Sequence, residues 1–187
     1  MAQLFRPAGV SPPAPFGTPK LNALTTKGQA NQTATRTLRC RTVAKGRLVQ
    51  LNYIRNLPPQ PTIEVESEGL LGEAVAPSAS EALLAALGSC LAVGIHASAL
   101  AQRIPIRSLE LDVEADINAG PIWEAGELNP KTIGFESVRV IVRLDADAPY
   151  GSLEAVVRSA TLSSPVANTI FNPVHLDVTL SLDSMLE

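Results

Sequence analysis

The stretch PSASEALLAALGSCLAVGIHASALAQRIP, residues 77–105, constrains this chain more than any other. It carries no charge between Glu81 and Arg103. Ser78 and Ser80 both suit a helix N-cap, and Glu81 falls in the first turn, where an acid complements the helix dipole. Pro105 marks a stop, so the spacing predicts one long helix ending near Arg103. A helix apolar on every face needs cover on every face. One sheet covers one side only. A second subunit is the simple remaining cover, and an intimate homodimer with these helices inside is expected. Gly88 and Gly94 cost about 1 kcal/mol each relative to alanine inside a helix. Six apart, they lie on different faces and predict close packing by more than one neighbour.

The stretch also has about the ~20 residues of a membrane span. Ser89, Cys90, His96, Ser98 and Gln102 interrupt it, and alanine, only weakly lipophilic, supplies much of the rest. A buried core helix accounts for the pattern without a membrane. Aromatics are 4% of the 187 residues, so the core is built from Ala, Leu, Val and Ile. The net charge of −3 hides an asymmetry. No acid precedes Glu64, whereas Arg6, Lys20, Lys27, Arg36, Arg39, Arg41, Lys45, Arg47 and Arg55 all do. These cations are dispersed and lack interleaved aromatics, so no nucleic-acid partner is expected. Two cysteines do not make a secreted disulfide scaffold, and a reduced, cytoplasmic setting is the default.

Residues 1–35 are rich in proline (Pro7, Pro12, Pro13, Pro15, Pro19) and contain no 7–15-residue apolar run of a secretory signal. They predict a disordered or arm-like extension before a domain spanning 36–187. Thr37 to Ala44, a turn at Lys45-Gly46 and Arg47 to Ile54 predict a hairpin. Pro58, Pro59 and Pro61 break the pattern, and Thr62 to Glu66 alternates as a third strand. After the long helix, Ser108 to Asn118 sets Leu109, Leu111, Val113, Ala115 and Ile117 against Glu110, Asp112, Glu114 and Asp116. That is a strand with one wet, acidic face. A loop over 119–134 holds the lone Trp123, and Ser137 to Asp147 alternates again. Leu153, Val156, Val157 and Ala160 have helical spacing over Ser152 to Leu162. Ser164-Pro165 opens a short third helix, with serine as cap and proline at the first helical position. Val174 to Asp183 alternates as a last strand. The order β-β-β-α-β-β-α-α-β indicates an α+β fold of antiparallel sheets around helices.

Cys90 is the residue with chemistry to offer. It sits about ten residues into the helix, where the macrodipole has faded, so the helix itself does not activate the thiol. A cation has to come from elsewhere, and Arg41, Arg47 and Arg55 on the first hairpin are the candidates. Without one, Cys90 is an inert core residue. His96 lies about 240° around the helix from Cys90, so the two share no face. With His175 and Cys40 as scattered as they are, no metal-ligand spacing exists, and no phosphate-binding glycine loop stands between a strand and a helix. No cofactor or metal is expected.

The segment SEALLAALGSCLAVGIHASALAQR, followed by IPIRSLELDVEADI, resembles the central helix and next strand of the OsmC/Ohr family, the osmotically inducible and organic hydroperoxide resistance proteins. SSPVANTI, then PVHLDVTLSL, resembles that family's second block, where Cys-Pro-Val precedes a short helix and the final strand. The likeness spans about residues 37 to 185. It implies an intertwined homodimer with central helices and sheets outside. It also implies thiol-dependent reduction of organic hydroperoxides or hydrogen peroxide. Cys90 matches the cysteine that attacks the O–O bond and becomes a sulfenic acid. Arg47 best matches the hairpin arginine, with Arg41 and Arg55 as substitutes. Glu81 stands for the glutamate at the helix start, unless that position falls one place earlier, at Ser80. On one continuous helix Glu81 lies half a turn and about 13.5 Å from Cys90, so it serves only if the helix start is unwound or if it acts across the dimer.

One departure matters. Ser164 stands where the family has its second cysteine, and serine cannot resolve a sulfenic acid. Cys40 is the only other thiol, on the first strand and not in the family's resolving position; it is a strand residue there, with a relocated resolver as the alternative. The chain therefore works with one cysteine and an external thiol reductant, or it is no longer a peroxidase. The alternative is a non-catalytic dimer that binds an apolar small molecule in its interface cleft while Cys90 merely packs. An interaction protein using the basic arm is the third reading.

Overall fold

The computed structural model describes residues 37–45, 48–63, 76–118 and 134–181. The expected arm over 1–35, Arg47, the end of the third expected strand and the loop holding Trp123 lie outside the described residues. Two antiparallel sheets and three helices make up the rest. The first sheet has the order β1-β2-β3, from β1 (Cys40–Ala44), β2 (Val49–Ile54) and β3 (Gln60–Ile63). The long helix α1 (Ala79–Ala101) follows. The second sheet pairs β4 (Ile106–Asn118) with β5 (Gly134–Ala146), and the helices α2 (Tyr150–Ser163) and α3 (Pro165–Phe171) come after it.

The elements agree with the expected order up to α3, and the boundaries differ for physical reasons. Pro61, expected as a breaker, lies inside β3 opposite Leu51. β3 is an edge strand, where a residue without an N–H costs no ladder bond on its open side. Ser78 and not Ser80 caps α1. Its hydroxyl accepts the Glu81 N–H at 3.2 Å while the Glu81 carboxylate accepts the Ser78 N–H at 2.7 Å, a reciprocal capping box. The Ile63 N–H donates to the Pro77 carbonyl at 3.0 Å and ties β3 to this helix start. At the other end, Ile104 N donates to Ala99 O at 2.9 Å and Arg103 N to Leu100 O at 3.0 Å. This is a Schellman ending, with Arg103 at φ 56° in the place glycine usually takes. Ile104 continues from it into the core, so packing offsets the strain.

Within the chain α1 buries one stripe, Leu87, Leu91, Ile95 and Ala99, at a spacing of four. Ile95 and Ala99 join Val156 and Ala160 of α2 in the core, against Leu109, Leu111, Val142 and Leu144 on the inner face of β4–β5. The two glycines do what their spacing implied. A Cβ on Gly88 would stand 3.3 Å from Val113 of β4, and one on Gly94 would stand 3.2 Å from the Ala160 Cβ of α2. The helix is thus approached closely by the sheet on one side and by α2 on another. The remaining face is open: Val93 is 70% exposed and Leu83 40%.

The outer face of β4–β5 is an ion ladder. The acidic face of β4 is wet as the alternation implied, and the register sets Glu110 opposite Arg143 and Glu114 opposite Arg139. Arg139 pairs with Asp116 at 2.5 Å, Arg107 with Asp145 at 2.6 Å, and Arg143 with Asp112. All face solvent, where such pairs contribute little each. The Arg139 guanidinium and then the Ser137 hydroxyl, both donating to Asp116, hold its carboxyl down to about 2. Arg107 likewise lowers Asp145.

The last expected strand differs. Among the described residues, Val174 to Leu180 forms no ladder with another strand. Its alternation is intact, and Leu176, Val178 and Leu180 are each at least 80% exposed. A strand forms only where an edge accepts it, and none of the described strands pairs with this segment.

Two outcomes follow. Gly94→Val is expected to destabilise the fold by about 2 kcal/mol in denaturant titration, because the added methyls meet the backbone of Ala160 as well as its side chain. Gly94→Ala comes out nearer neutral, since helix propensity returns about 1 kcal/mol. The ladder also makes stability acid-sensitive. The folded Asp116 value lies below the unfolded one near ~4, so its contribution is complete above pH ~4 and is lost as pH falls toward about 2. Asp116→Asn should flatten that part of the acid-unfolding curve.

Candidate functional site

The close approach at Gly94 places the site. Gly94 is one turn past Cys90 on α1, and Ala160 sits on it. α2 ends three residues later at Ser163, so its last turn and the start of α3 come down on Cys90. Ser164 is the residue between the helices. It is 3% exposed, and its hydroxyl donates to Cys90 Sγ at 3.2 Å. The same oxygen accepts the Ala167 N–H at 3.2 Å, which caps α3, with Pro165 next in line at the first helical position. The Ser164 carbonyl accepts Asn168 N at 3.0 Å and Asn168 Nδ2 at 2.9 Å. Every polar group of Ser164 is therefore held.

Cys90 is half-buried and lines a cleft of about 450 Å³ between α1 and the α2–α3 junction. Ser89, Val93, Gly94, Ser163, Ser164 and Pro165 complete the lining, with no charged side chain among them. Among the described residues, the hydrogen-bond partner of Cys90 is Ser164.

The other expected site residues stand elsewhere. The Glu81 carboxylate is engaged in the capping box at the start of α1, which is wound from Ala79. Arg47 lies outside the described residues. The Arg41 guanidinium stacks over the Tyr53 ring at 5.5 Å, in the cross-strand pair Arg41–Tyr53. Arg55 is exposed in the turn after β2, with φ 54°. Cys40 is exposed on β1, and both cysteines are free thiols. His96 and His175 face solvent within the chain. Among the described residues no three potential ligands gather around a metal position.

Sequence reasoning finds Ser164 as a helix cap and as the counterpart of a second cysteine. It misses the direct contact with Cys90. The available signal was the pairing of Gly94 with the small, buried Ala160 on the next apolar helix. α1 is long and apolar enough to cross a membrane, yet it packs as the core helix against β4, α2 and α3.

Residues 72–179, more than half of the chain, match the protein family described as OsmC-like protein. No curated protein matches the chain. Among solved structures, it is similar to the OsmC-like protein of Mycoplasma pneumoniae at 12% identity and a TM-score of 0.61, over 75% of this chain and 91% of that one. An OsmC-like protein of unknown function from Vibrio cholerae shares 14% identity with a TM-score of 0.56, over 72% and 93%. The organic hydroperoxide resistance protein OsmC of Legionella pneumophila shares 19% with a TM-score of 0.50, over 74% and 91%. At these identities the structures share the fold. With its central helix, flanking antiparallel sheets and matched sequence blocks, the chain belongs to the OsmC-like protein family.

Proposed function

We propose that this protein reduces hydroperoxides in the cytoplasm, as a homodimer, with Cys90 as the reacting thiol and an external thiol as reductant. The observation that carries the reading is Cys90, half-buried in the lining of a cleft, with its sulfur met by a buried hydroxyl. In the first step the sulfur attacks one peroxide oxygen. The O–O bond breaks, the remaining oxygen leaves as alcohol or water with a proton, and Cys90 becomes a sulfenic acid. Arg47 supplies the cation in this reading. Glu81, wound into the first turn of α1, acts across the dimer from its partner's helix.

The dimer is supported by apolar surface that one chain leaves uncovered: Val93 and Leu83 on α1, and Leu176, Val178 and Leu180 in the closing segment. A second reading, a non-catalytic dimer whose cleft takes an apolar small molecule, draws on the uncharged lining beside Cys90.

Hydroperoxide consumption with dithiothreitol as reductant separates the two. Cys90→Ser is expected to bring the rate down to that of dithiothreitol alone, whereas Cys40→Ser keeps it. Equal consumption by the wild type and Cys90→Ser would reject the enzymatic reading and leave the binding one. The assembly is checked by light scattering on the purified chain. Val178→Lys with Leu180→Lys should shift it from dimer to monomer, and an unchanged mass would dismiss the closing segment as part of the interface.

A further inference from the structure

The oxygen facing Cys90 is held in place. Ser164 gives one lone pair to the Ala167 N–H, and its single proton goes to Cys90 Sγ. Across 3.2 Å, where a bond to sulfur would otherwise form, stands a group that cannot make one. Cys40 belongs to β1, in the other sheet. The cleft that Cys90 lines, about 450 Å³ with Ser89, Ser163 and Ser164 as its polar groups among the described residues, has the size of small-molecule sites.

We propose that Cys90 turns over through a mixed disulfide with a small monothiol, and that Ser164 is the positioning residue that directs its release. This rests on the thiol chemistry proposed above. The sulfur of a monothiol bonds to the Cys90 sulfur of the sulfenic acid, the S–O bond breaks, and the hydroxyl leaves as water with the thiol's proton. A second monothiol then attacks the outer sulfur. The S–S bond breaks, a small disulfide leaves, and the proton returns to Cys90. Two monothiols lose two electrons and the sulfenic acid gains them. In the second step negative charge develops on the Cys90 sulfur as it leaves. The Ser164 hydroxyl already points at it, which favours attack on the outer sulfur.

The test uses the full chain carrying Cys40→Ser, so that Cys90 is the only thiol. It is loaded with 2-mercaptoethanol by two routes: hydroperoxide followed by the thiol, and direct exchange with bis(2-hydroxyethyl) disulfide. Intact mass is expected to show one mercaptoethanol bound, stable once excess reagent is removed. Adding Ser164→Cys should expel it and leave the protein two hydrogens lighter, as an internal disulfide. Ser164→Ala should load normally but discharge to added thiol about tenfold more slowly, with Ser164→Thr restoring the rate. Failure to load by exchange, or a Ser164→Cys protein that keeps its adduct, overturns the inference. If Ser164→Cys does not fold, an unchanged discharge rate in Ser164→Ala overturns it. Loading by exchange but not through peroxide rejects the peroxidase reading and leaves this one standing.

Discussion

The contact between Gly94 and Ala160 governs the geometry of this molecule. A glycine in a helix centre costs about 1 kcal/mol against alanine. Here it lets α2 come so near to α1 that even a methyl would be crowded. Val156 and Ala160 then reach full burial beside Ile95 and Ala99. The same approach brings the α2–α3 junction onto Cys90. Stability and site share one cause, because the residues closing the core and those meeting the thiol lie on the same two turns.

Ser164 shows how a structural role and a chemical one combine in a single side chain. As a cap it satisfies a backbone donor at the part-buried start of α3. Its remaining proton is then directed at sulfur. The cap restrains the hydroxyl, so the donor stays aimed at Cys90. At the position where the family resemblance places a second thiol, this chain has the serine that caps α3.

Much of the fold was legible because its signals are local. The strict alternation of β4 and β5 fixes which face is wet, and the ion ladder follows from register alone. Ser78, Glu81 and Pro165 mark helix starts through hydrogen bonds made within one turn. Pro61 was misjudged because its tolerance depends on whether a strand is an edge, a property of the sheet and not of the strand. The closing segment alternates as a strand does but needs a partner edge, which no pattern within the segment supplies. The contact of Ser164 with Cys90 joins positions 74 residues apart, and neither neighbourhood announces the other.

The sequence by itself determined a charge-free central helix too apolar to stand alone, the order of the described strands and helices around it, the cysteine in its middle and the serine that caps α3. Those depend on residue type and short-range spacing. Only the tertiary structure decided that one stripe of α1 is buried while Val93 stays open, that Arg41 lies over a tyrosine ring, and that a buried hydroxyl faces the Cys90 sulfur. Each of those depends on how closely two distant segments approach, and that distance is set by packing.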